Sequence, residues 1–586
     1  AAKHFFDEPS SLVLSALTAI TKTNPNVAFD AVSKTIYLRP DAASQSVSVV
    51  SGGGSGHDPS FAAFVGPGLL SAAVSGTIFA SPSAEQVKTC IQDLLPETTT
   101  GVLVVVMNYT GDVLNFGIAV EKARAAGVNV EMVVVGDDVG VGRAQGGKVG
   151  RRGIAGTVLV QKIAGALAAQ GAHLTDVRAV ATLVRDNVVS IGASLSHVHV
   201  PGHAPAAIDE SEVGGVEIGM GIHNEPGSEQ STSDLPGVVK TMLKYMLDPN
   251  DEDRGFLDVS SSDQTVLLVN NLGGVSLLEM GGITNEVVEQ LVLLYGIQPV
   301  RILSGTFMTS LNGMGFSVSL LKLQDTGLPQ SMLDLLDAPS ECCGWSAAIK
   351  GSTWTQPPSQ TRSPRSGASK ANQPCSLQFT DPQQVKQILT AAMDRVIAAE
   401  PEITRFDTLV GDGDCGTGLQ RGAEAVLHLL RNTTDPPSDA ALFLDAVTTV
   451  VETSMDGTSG ALYAIFLHAL AHGLRAQASE GAHEVTMRVW ARALAAATRS
   501  LGEYTPAKPG DRTLVDALQP FVEELEANGD LRRAAAAAER GAKKTKGMKA
   551  RLGRTVYVGG DGYEEVPDPG AHGLAVLLGG FAEGAG

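Results

Sequence analysis

The sequence has few cysteines, few aromatic residues and no long apolar run. Its 586 residues include only 5 cysteines, which are odd in number and lack any zinc or disulfide spacing. We therefore expect free thiols and a reducing compartment. No apolar stretch reaches the roughly 20 residues that a membrane-spanning helix needs, and the first residues do not show the basic and then apolar layout of a secretory signal. These features predict a cytoplasmic chain with no membrane partner.

Charged residues are also scarce, at 18%, and the two signs are unbalanced. The 43 basic and 63 acidic side chains give a formal net charge of −20, which argues against nucleic acid or an anionic membrane as a partner. One basic run, 543–551, stands out in this acidic chain. A solvated helix face would explain it, and so would attraction for a polyanionic ligand.

The hydrophobic pattern divides the chain into two parts. Up to residue 350, short β-branched runs that end in Gly, Asp or Asn alternate with helical stretches, which is typical of an α/β domain with buried parallel strands. A second α/β subdomain is expected after the stretch near 196–212. Residues 351–378 are rich in Ser, Pro, Gln and Thr and predict an exposed linker. Residues 379–586 carry apolar side chains at helical spacing and predict an all-helical domain.

Two segments of the first part directly follow predicted strands. In 51–59, SGGGSGHDP, three glycines allow close backbone approach to a small ligand beside His57, a candidate acid or base; a tight structural turn is the alternative. In NYTGD, Asp112 is placed either for catalysis or as the cap of a helix from Val113. The two segments lie at the same edge of a parallel sheet, which favours a site.

Histidines mark two further places in the first part. His223 lies among glycines with an acidic residue two positions later, so its imidazole is accessible and electrostatically tunable; an ordinary surface loop is equally consistent. His197, His199 and His203 are spaced so that, on a strand, their side chains would face one side and could bind zinc. We discount that cluster because no nearby residue completes a site.

The helical part carries three carboxylates within eight residues, Asp407, Asp412 and Asp414, separated by glycines. Three carboxylates on one turn repel each other unless a cation lies among them, and hard oxygen ligands suit Mg²⁺ or Ca²⁺. A plain turn is the alternative. The segments 455–461, 508–513 and 568–570 combine small residues and hydroxyls at predicted helix starts, as phosphate cradles and close helix turns both do.

Taken together, these segments resemble the ATP-dependent dihydroxyacetone kinases, the single-chain family that includes triokinase/FMN cyclase. The family's motifs occur in its order over nearly the whole chain: GGGSGH, NYTGD, GRRGIAGTVLVQKIAGA, GIHNEPG, GDGDCGT, SGALY and PGDRT. The resemblance implies a multidomain protein. Residues 1–350 would form a substrate domain of two α/β subdomains, and 379–586 would form a barrel of antiparallel helices that binds the nucleotide.

The resemblance also implies a role for each motif. His223 would bind the substrate ketone as a covalent hemiaminal, with His57 and Asp112 as acid and base. Substrate contacts would come from Gly54, Ser55, Gly56, His57, Met107 and Asp112. Mg²⁺ would be held by Asp407, Asp412 and Asp414. ATP would lie against Asp414, Cys415, Gly416, Thr417, Thr458, Ser459, Arg512, Thr513, Asp568, Pro569 and Gly570.

The expected activity is phosphorylation of dihydroxyacetone, and of glyceraldehyde, by a homodimer whose ligands are a triose and ATP. The sequence departs from the family at Phe61 and Met107, where a histidine and a lysine are usual, and at Asp456 and Thr458, where glycine and serine are usual. Since the acid/base, covalent and metal positions are kept, we expect activity with altered substrate affinity. An FAD-AMP lyase that forms cyclic FMN and a non-catalytic regulatory protein are the alternatives.

Overall fold

The computed structural model describes residues 4–6, 8–40, 46–202, 215–346, 348–355, 374–433, 437–552 and 564–585. The chain divides into two compact units, Ala1–Thr361 and Arg362–Gly586. This division falls within the predicted linker 351–378, of which residues 356–373 lie outside the described residues. Both ends of that stretch are structured, because Gly351–Thr355 is a short helix and Leu377 is fully buried.

The described residues of the first unit form two six-stranded sheets. The first sheet has the spatial order β1-β2-β4-β3-β5-β6. Its strands are β1 (Val27–Asp30), β2 (Thr35–Leu38), β3 (Val47–Ser55), β4 (Ala72–Ile78), β5 (Gly101–Met107) and β6 (Val130–Val135). The strands β4, β3, β5 and β6 run parallel, as the β-branched runs predict. A register shift between Gly53 and Ser55 allows β3 to continue through glycines that we expected to form a loop.

Both faces of the first sheet are covered. Along β5, Leu103 and Val105 belong to one apolar cluster, and Val102 and Val104 belong to another on the opposite face, as the twofold period of a strand requires. The helices of this half are α1 (Pro9–Thr23), α2 (Ala84–Thr89), α3 (Thr110–Ala125), α4 (Arg143–Gly146), α5 (Thr157–Ala169) and α6 (Leu174–Asp186).

The second sheet has the order β11-β10-β12-β7-β8-β9 and differs from the parallel arrangement that we expected. Its strands are β7 (Val188–Ser194), β8 (Val216–Ile218), β9 (Glu229–Ser231), β10 (Thr265–Asn271), β11 (Arg301–Gly305) and β12 (Gly315–Lys322). Among the described residues of this sheet, β10 and β11 pair in parallel and the other neighbours are antiparallel. The helices here are α7 (Leu235–Leu247), α8 (Leu277–Tyr295), α9 (Met332–Asp337) and α10 (Gly351–Thr355).

One apolar cluster joins the two sheets of this unit. It includes Leu103 of the first sheet, Leu268 of the second, and Leu159 and Ile163 of α5. Because α5 is buried along nearly its whole length, the two sheets share a core and hold their strand ends in fixed positions.

The second unit consists of eight helices among its described residues: α11 (Pro382–Val410), α12 (Cys415–Asn432), α13 (Ala440–Ser454), α14 (Gly457–Ser479), α15 (Met487–Tyr504), α16 (Val515–Asn528), α17 (Leu531–Lys544) and α18 (Pro569–Gly584). Each helix packs against the next, and α18 packs against α11. The predicted all-helical character is confirmed. Over the part of the chain that is described, no helix is both long and apolar enough to cross a bilayer.

Candidate functional site

The ends of two neighbouring parallel strands, β3 and β5, bring the first group of candidate residues together. The chain leaves β3 at Ser55, two residues before His57, and leaves β5 at Met107, after which α3 begins at Thr110. Asp112 therefore lies inside the first turn of α3 and does not cap a helix from Val113, so the capping alternative is wrong. Its carboxylate is near the N-terminal end of a helix, where the peptide dipoles favour negative charge.

His57 and His223 face each other across this site. Their Nε2 atoms are 3.0 Å apart. Nδ1 of His57 lies 2.8 Å from the carbonyl oxygen of Thr309, and Nδ1 of His223 lies 3.1 Å from Oε1 of Glu225. The backbone N–H of His223 also donates to Oε2 of Glu225, at 2.9 Å. The two imidazoles are thus held in a chain of polar contacts whose ends are a carbonyl and a carboxylate.

The groups at the two ends of this series of contacts determine which imidazole nitrogens carry a hydrogen. A carbonyl and an ionised carboxylate only accept, so each Nδ1 must carry a hydrogen. Burial would raise the pKa of Glu225, but the hydrogen bond and charge of His223 outweigh it and lower that pKa to about 2. A hydrogen bond between the two Nε2 atoms then needs one more proton. The pair can therefore hold one shared proton, whose positive charge Glu225 would balance.

Asp112 contributes a carboxylate that lacks a full set of partners. It is 4% exposed, and its Oδ1 is buried with no hydrogen-bond partner among the described residues. Burial raises its pKa, although a hydrogen bond from Ser81 and the nearby His223 oppose the shift. A Cβ placed on Gly53 would lie 3.9 Å from both carboxylate oxygens. Asp112 is thus an acceptor aimed at the glycine segment and suited to bind a hydroxyl.

Two aromatic rings enclose His223. The ring of Tyr109 meets it edge to face at a centroid distance of 4.6 Å. The ring of Phe79 meets it at 5.3 Å, also nearly perpendicular, and stacks on His57 at 5.2 Å with an interplanar angle of 15°. The sequence indicated an acidic residue, Glu225, beside His223, but it did not single out either aromatic residue. Tyr109 stands inside the NYTGD motif, whereas Phe79 lies in a turn that carries no motif.

The remaining residues predicted to contact substrate differ in their surroundings. Gly54 and Gly56 pack against Phe79, and the hydroxyl of Ser55 donates to the carbonyl of Gly76 at 2.9 Å. Met107 is 1% exposed and lies in the apolar cluster that also holds Phe61. Both departures from the family pattern, Phe61 and Met107, are therefore buried apolar side chains of one cluster.

The discounted histidine cluster has partners of other kinds. Nε2 of His197 lies 2.8 Å from Oε2 of Glu217, and His199 stacks on His4 at 5.2 Å. His203 lies outside the described residues. Among the residues that are described, the one group of three or more possible metal ligands is in the helical unit.

That group is the predicted aspartate cluster. Asp407, Asp412 and Asp414 each offer a carboxylate oxygen within 4.8 Å of the others. Asp407, at the end of α11, is buried and accepts a hydrogen bond from the backbone N–H of Cys415 at 2.9 Å. Burial raises its pKa, and the two neighbouring carboxylates raise it further. This set of oxygen ligands fits Mg²⁺ or Ca²⁺. A bound cation would relieve the repulsion between the three carboxylates.

The aspartates line a cavity of about 380 Å³. Its polar side includes the predicted residues Asp407, Asp412, Asp414, Cys415, Thr458, Ser459, Arg512, Thr513, Asp568, Pro569 and Gly570. Its apolar side comes from residues that the sequence analysis did not single out: Leu462, Leu501, Tyr504, Leu514 and Leu552. A cavity lined by carboxylates, hydroxyls and apolar side chains suits a nucleotide.

Arg512 provides the strongest sign of an anionic occupant. It is 2% exposed and adopts a left-handed backbone conformation with φ of 60°. Its Nη2 donates to the carbonyl of Val566 at 2.9 Å, but Nε and Nη1 are buried without a partner among the described residues. Burial raises the pKa of the facing Asp568 to about 7, although Arg512 opposes the shift. Unpartnered guanidinium N–H groups are costly unless a phosphate or carboxylate accepts them.

Two predicted nucleotide contacts stand apart from the cavity wall. A Cβ on Gly416 would lie 2.3 Å from Oγ1 of Thr404, so Gly416 allows α12 to pack closely against α11. Oγ1 of Thr417 donates to the carbonyl of Asp414 at 3.0 Å. Gly418, which the sequence analysis did not select, lines the cavity instead.

Comparison with known proteins identifies both units. A Dak1 domain model matches residues 18–344, and a DAK2 domain model matches residues 409–583. The chain is 42% identical over 605 residues to a dihydroxyacetone kinase of Pichia angusta, covering 99% of this chain and 98% of that protein. This chain belongs to the dihydroxyacetone kinase family. The family includes the human triokinase/FMN cyclase, which is 35% identical over 582 residues and covers 96% of both chains.

Solved structures of the family have the same architecture. The native dihydroxyacetone kinase of C. freundii matches with a TM-score of 0.65 and 32% identity, covering 100% of both chains. The same enzyme in complex with AMP-PNP and Mg²⁺ matches with a TM-score of 0.63 at 32% identity. The family's two-part architecture, α/β and then helical, is therefore that of this chain.

Proposed function

We propose that this protein phosphorylates dihydroxyacetone, and also glyceraldehyde, with ATP and Mg²⁺. The observation that carries the proposal is the chain of contacts from Thr309 through His57 and His223 to Glu225, with an unpartnered carboxylate oxygen of Asp112 beside it. Relatives over the full chain length are named dihydroxyacetone kinases, and one family structure holds AMP-PNP and Mg²⁺.

The histidine pair is suited to form a hemiaminal with a ketone. Nε2 of His223 forms a bond to the carbonyl carbon, and the π electrons of the carbonyl move to its oxygen. That oxygen takes the shared proton through Nε2 of His57. Burial, with the charge of His223, lowers the pKa of His57 to about 3, so His57 releases a proton readily. The positive charge ends on the alkylated ring of His223, where Glu225 neutralises it.

This covalent step explains selectivity for a carbonyl compound. A triose offers few atoms for ordinary contacts, so a reversible bond fixes it better than hydrogen bonds alone. Glycerol has no carbonyl carbon to accept Nε2 and is rejected. The bound triose then presents a free hydroxyl, and Asp112 is placed to accept its proton as the hydroxyl oxygen attacks the γ-phosphorus of ATP.

In the helical unit, Asp407, Asp412 and Asp414 would hold the magnesium ion. A magnesium ion bound there would neutralise negative charge on the nucleotide phosphates. The unpartnered N–H groups of Arg512 are suited to donate to a phosphate oxygen, and the apolar side of the cavity is suited to the base. Positioning and charge neutralisation account for most of the rate in phosphoryl transfer, and these residues provide both.

The finer architecture belongs to the same proposal. The unbroken ring of contacts from α11 through α18 and back to α11 supports a helical barrel. The five cysteines are free, which supports a cytoplasmic location. A homodimer follows from the family resemblance, and sedimentation velocity of the purified protein tests it.

The test combines a turnover assay with detection of the adduct. The purified protein is given ATP, Mg²⁺ and dihydroxyacetone, and ADP release is followed; glycerol replaces the ketone as control. In parallel, intact mass is recorded after incubation with dihydroxyacetone and buffer exchange, and the adduct is mapped by peptide digestion. We expect turnover with the ketone only and an adduct at His223. In His223→Ala we expect the adduct to vanish and turnover to fall by on the order of a thousandfold or more.

Full turnover in His223→Ala would remove the covalent mechanism while leaving the kinase activity in place. No turnover in the wild-type protein would overturn the proposed activity. In that case, release of cyclic FMN from FAD with Mn²⁺ would point to the lyase alternative, and binding of ATP without turnover of either substrate would point to a regulatory protein.

A further inference from the structure

Phe79 adopts a backbone conformation that large residues rarely take. Its φ is 58°, in the left-handed region that glycine and asparagine enter with little strain and an aromatic residue does not. It occupies a tight turn after β4, where the N–H of Ala80 donates to the carbonyl of Thr77 at 3.2 Å. Glycine would serve this turn better. A strained residue that is kept in place at a site is an indication of function.

The turn is tied to the glycine segment that precedes His57. The N–H of Phe79 donates to the carbonyl of Ser55 at 2.9 Å. A Cβ on Gly54 would lie 3.0 Å from the Cα of Phe79, and one on Gly56 would lie 3.1 Å from its ring. Two glycines of the motif are therefore needed for Phe79 to approach.

The ring of Phe79 contacts both imidazoles of the histidine pair. It stacks on His57 at 5.2 Å and 15°, and its contact with His223 is edge to face at 5.3 Å and 89°. The two imidazoles are themselves nearly perpendicular, at 89°. One ring thus packs flat on one histidine and edge-on against the other. This arrangement fixes their mutual angle, and with it the direction of the Nε2 lone pair of His223.

Tyr109 also contacts His223. Its ring also lies nearly perpendicular to the imidazole, at 4.6 Å. The rings of His57, Phe79 and Tyr109 thus all contact the imidazole of His223. A carbonyl compound that reaches Nε2 must therefore fit beside these three rings.

We infer that Phe79 is a positioning residue that also sets substrate size: it holds the two imidazoles at a fixed angle and closes one side of the space in front of Nε2 of His223. This inference rests on the proposed function, because the occupant of that space is the small hydroxyketone named above. On this inference, the strained turn and the close packing of Gly54 and Gly56 both serve to place the ring of Phe79.

The deciding variant is Phe79→Gly. It removes the ring and also relieves the backbone strain, so the melting temperature should stay within a few degrees of wild type. We expect kcat/KM for dihydroxyacetone to fall about 100-fold, mainly through kcat, since misorientation of reacting groups is costly. The ratio of kcat/KM for dihydroxyacetone to that for a four-carbon hydroxyketone should fall at least fivefold, because the space becomes larger.

Two variants act as controls. Lys34→Gly relieves the same kind of strain (its φ is 51°) in the turn between β1 and β2 at the edge of the first sheet, and should leave both kinetic constants unchanged. Phe79→Leu keeps bulk without a flat ring. It should retain the preference for the three-carbon ketone while losing kcat, which separates size selection from orientation.

A readout independent of turnover is carbethoxylation of histidine by diethyl pyrocarbonate, mapped by mass spectrometry. Wild-type His57 is fully buried and should react slowly, whereas in Phe79→Gly it should react at least tenfold faster. Unchanged reactivity of His57, or kcat/KM of Phe79→Gly within twofold of wild type, would overturn the inference. If wild type lacks kinase activity, the proposed function fails, and the reactivity measurement still decides whether the ring shields and orients the pair.

Discussion

The glycine segment of the first site and Gly418 in the wall of the second site have opposite surroundings. In the α/β unit, a Cβ added to Gly52 would lie 2.2 Å from the carbonyl oxygen of Val74, and one on Gly54 would lie 2.8 Å from the N of Ala80. In the helical unit, an added Cβ at Gly418 or Gly457 would meet nothing within 4 Å. The glycines that precede His57 are packed against the protein's own backbone, whereas Gly418 in the wall of the nucleotide cavity leaves space; other glycines of that unit, such as Gly416, are closely packed.

The polar groups of the two sites differ in how fully the protein supplies their hydrogen-bond partners. The imidazoles of His57 and His223 have protein partners at each of their nitrogens. In the helical unit, Arg512 keeps two buried nitrogen atoms without partners among the described residues, and three carboxylates lie close together. We conclude that packing fixes the geometry of the first site before any ligand binds. The second site is completed only when its ligands supply the missing partners.

The largest expected effect is at the aspartate cluster. Asp412→Asn should lower kcat/KM for Mg²⁺-ATP by about a thousandfold or more, because phosphoryl transfer depends on the metal. The adduct at His223 should persist, since the first site does not need the ion. The metal-free variant should melt higher than metal-free wild type, because one repelling carboxylate is gone. Thermal melts with and without Mg²⁺ measure this difference.

Asp394→Asn, an exposed carboxylate on α11, is the matched control and should change none of these values. A metal-free Asp412→Asn protein that melts lower than wild type would contradict the view that the second site stays incomplete without its ligand.

Substitution of glycines tests the comparison directly. Gly54→Ala should destabilise the protein by about 1–3 kcal/mol through overpacking and lower kcat/KM for the ketone about 100-fold by displacing Phe79. Gly418→Ala should raise the free energy of unfolding by about 0.5–1 kcal/mol, since alanine favours the helix. Its added methyl should raise KM for ATP. Urea unfolding and steady-state kinetics measure both effects.

Gly117→Ala in α3, where an added Cβ also meets nothing within 4 Å, should stabilise the protein without kinetic change. The comparison would fail if Gly54→Ala proved as stable and active as this control.

Glu225→Gln tests the charge balance of the first site. Loss of a charge-assisted hydrogen bond should lower kcat/KM for the ketone about 10- to 100-fold. Because the folded-state pKa of Glu225, about 2, lies below its usual 4.5, the carboxylate adds stability that is fully present above about pH 4.5 and is lost as the pH falls toward 2. The difference in unfolding free energy between wild type and variant should shrink over that interval. A difference that is constant from pH 7 to pH 3 would exclude an ionised partner for His223.

The smallest effect is expected from the basic run. Lys544, Lys546 and Lys549 are exposed, and none forms an ion pair with another described residue. The run leads to Leu552 in the wall of the nucleotide cavity. The triple alanine variant should lower kcat/KM for ATP a few-fold at low salt, with kcat unchanged, because positive charge steers anions in a protein of net charge −20. Equal losses at low and high salt would exclude steering.

The sequence by itself determined the division into an α/β part and a helical part, because the period of apolar residues differs between strands and helices. It also pointed to the three aspartates, which are close in the chain and need only a turn to meet. Local spacing could not reveal that the second sheet is mostly antiparallel or that the glycines of GGGSGH extend β3, since strand pairing depends on contacts between distant residues.

Only the tertiary structure decided how the first site is built. His57 and His223 are separated by 166 positions, and Phe79 has no motif that would associate it with either. Their contact exists because two sheets share one core and bring strand ends and loops to the same place. Short polar motifs can be recognised from sequence because their chemistry is local, whereas the angle between two rings is set by packing of the whole unit.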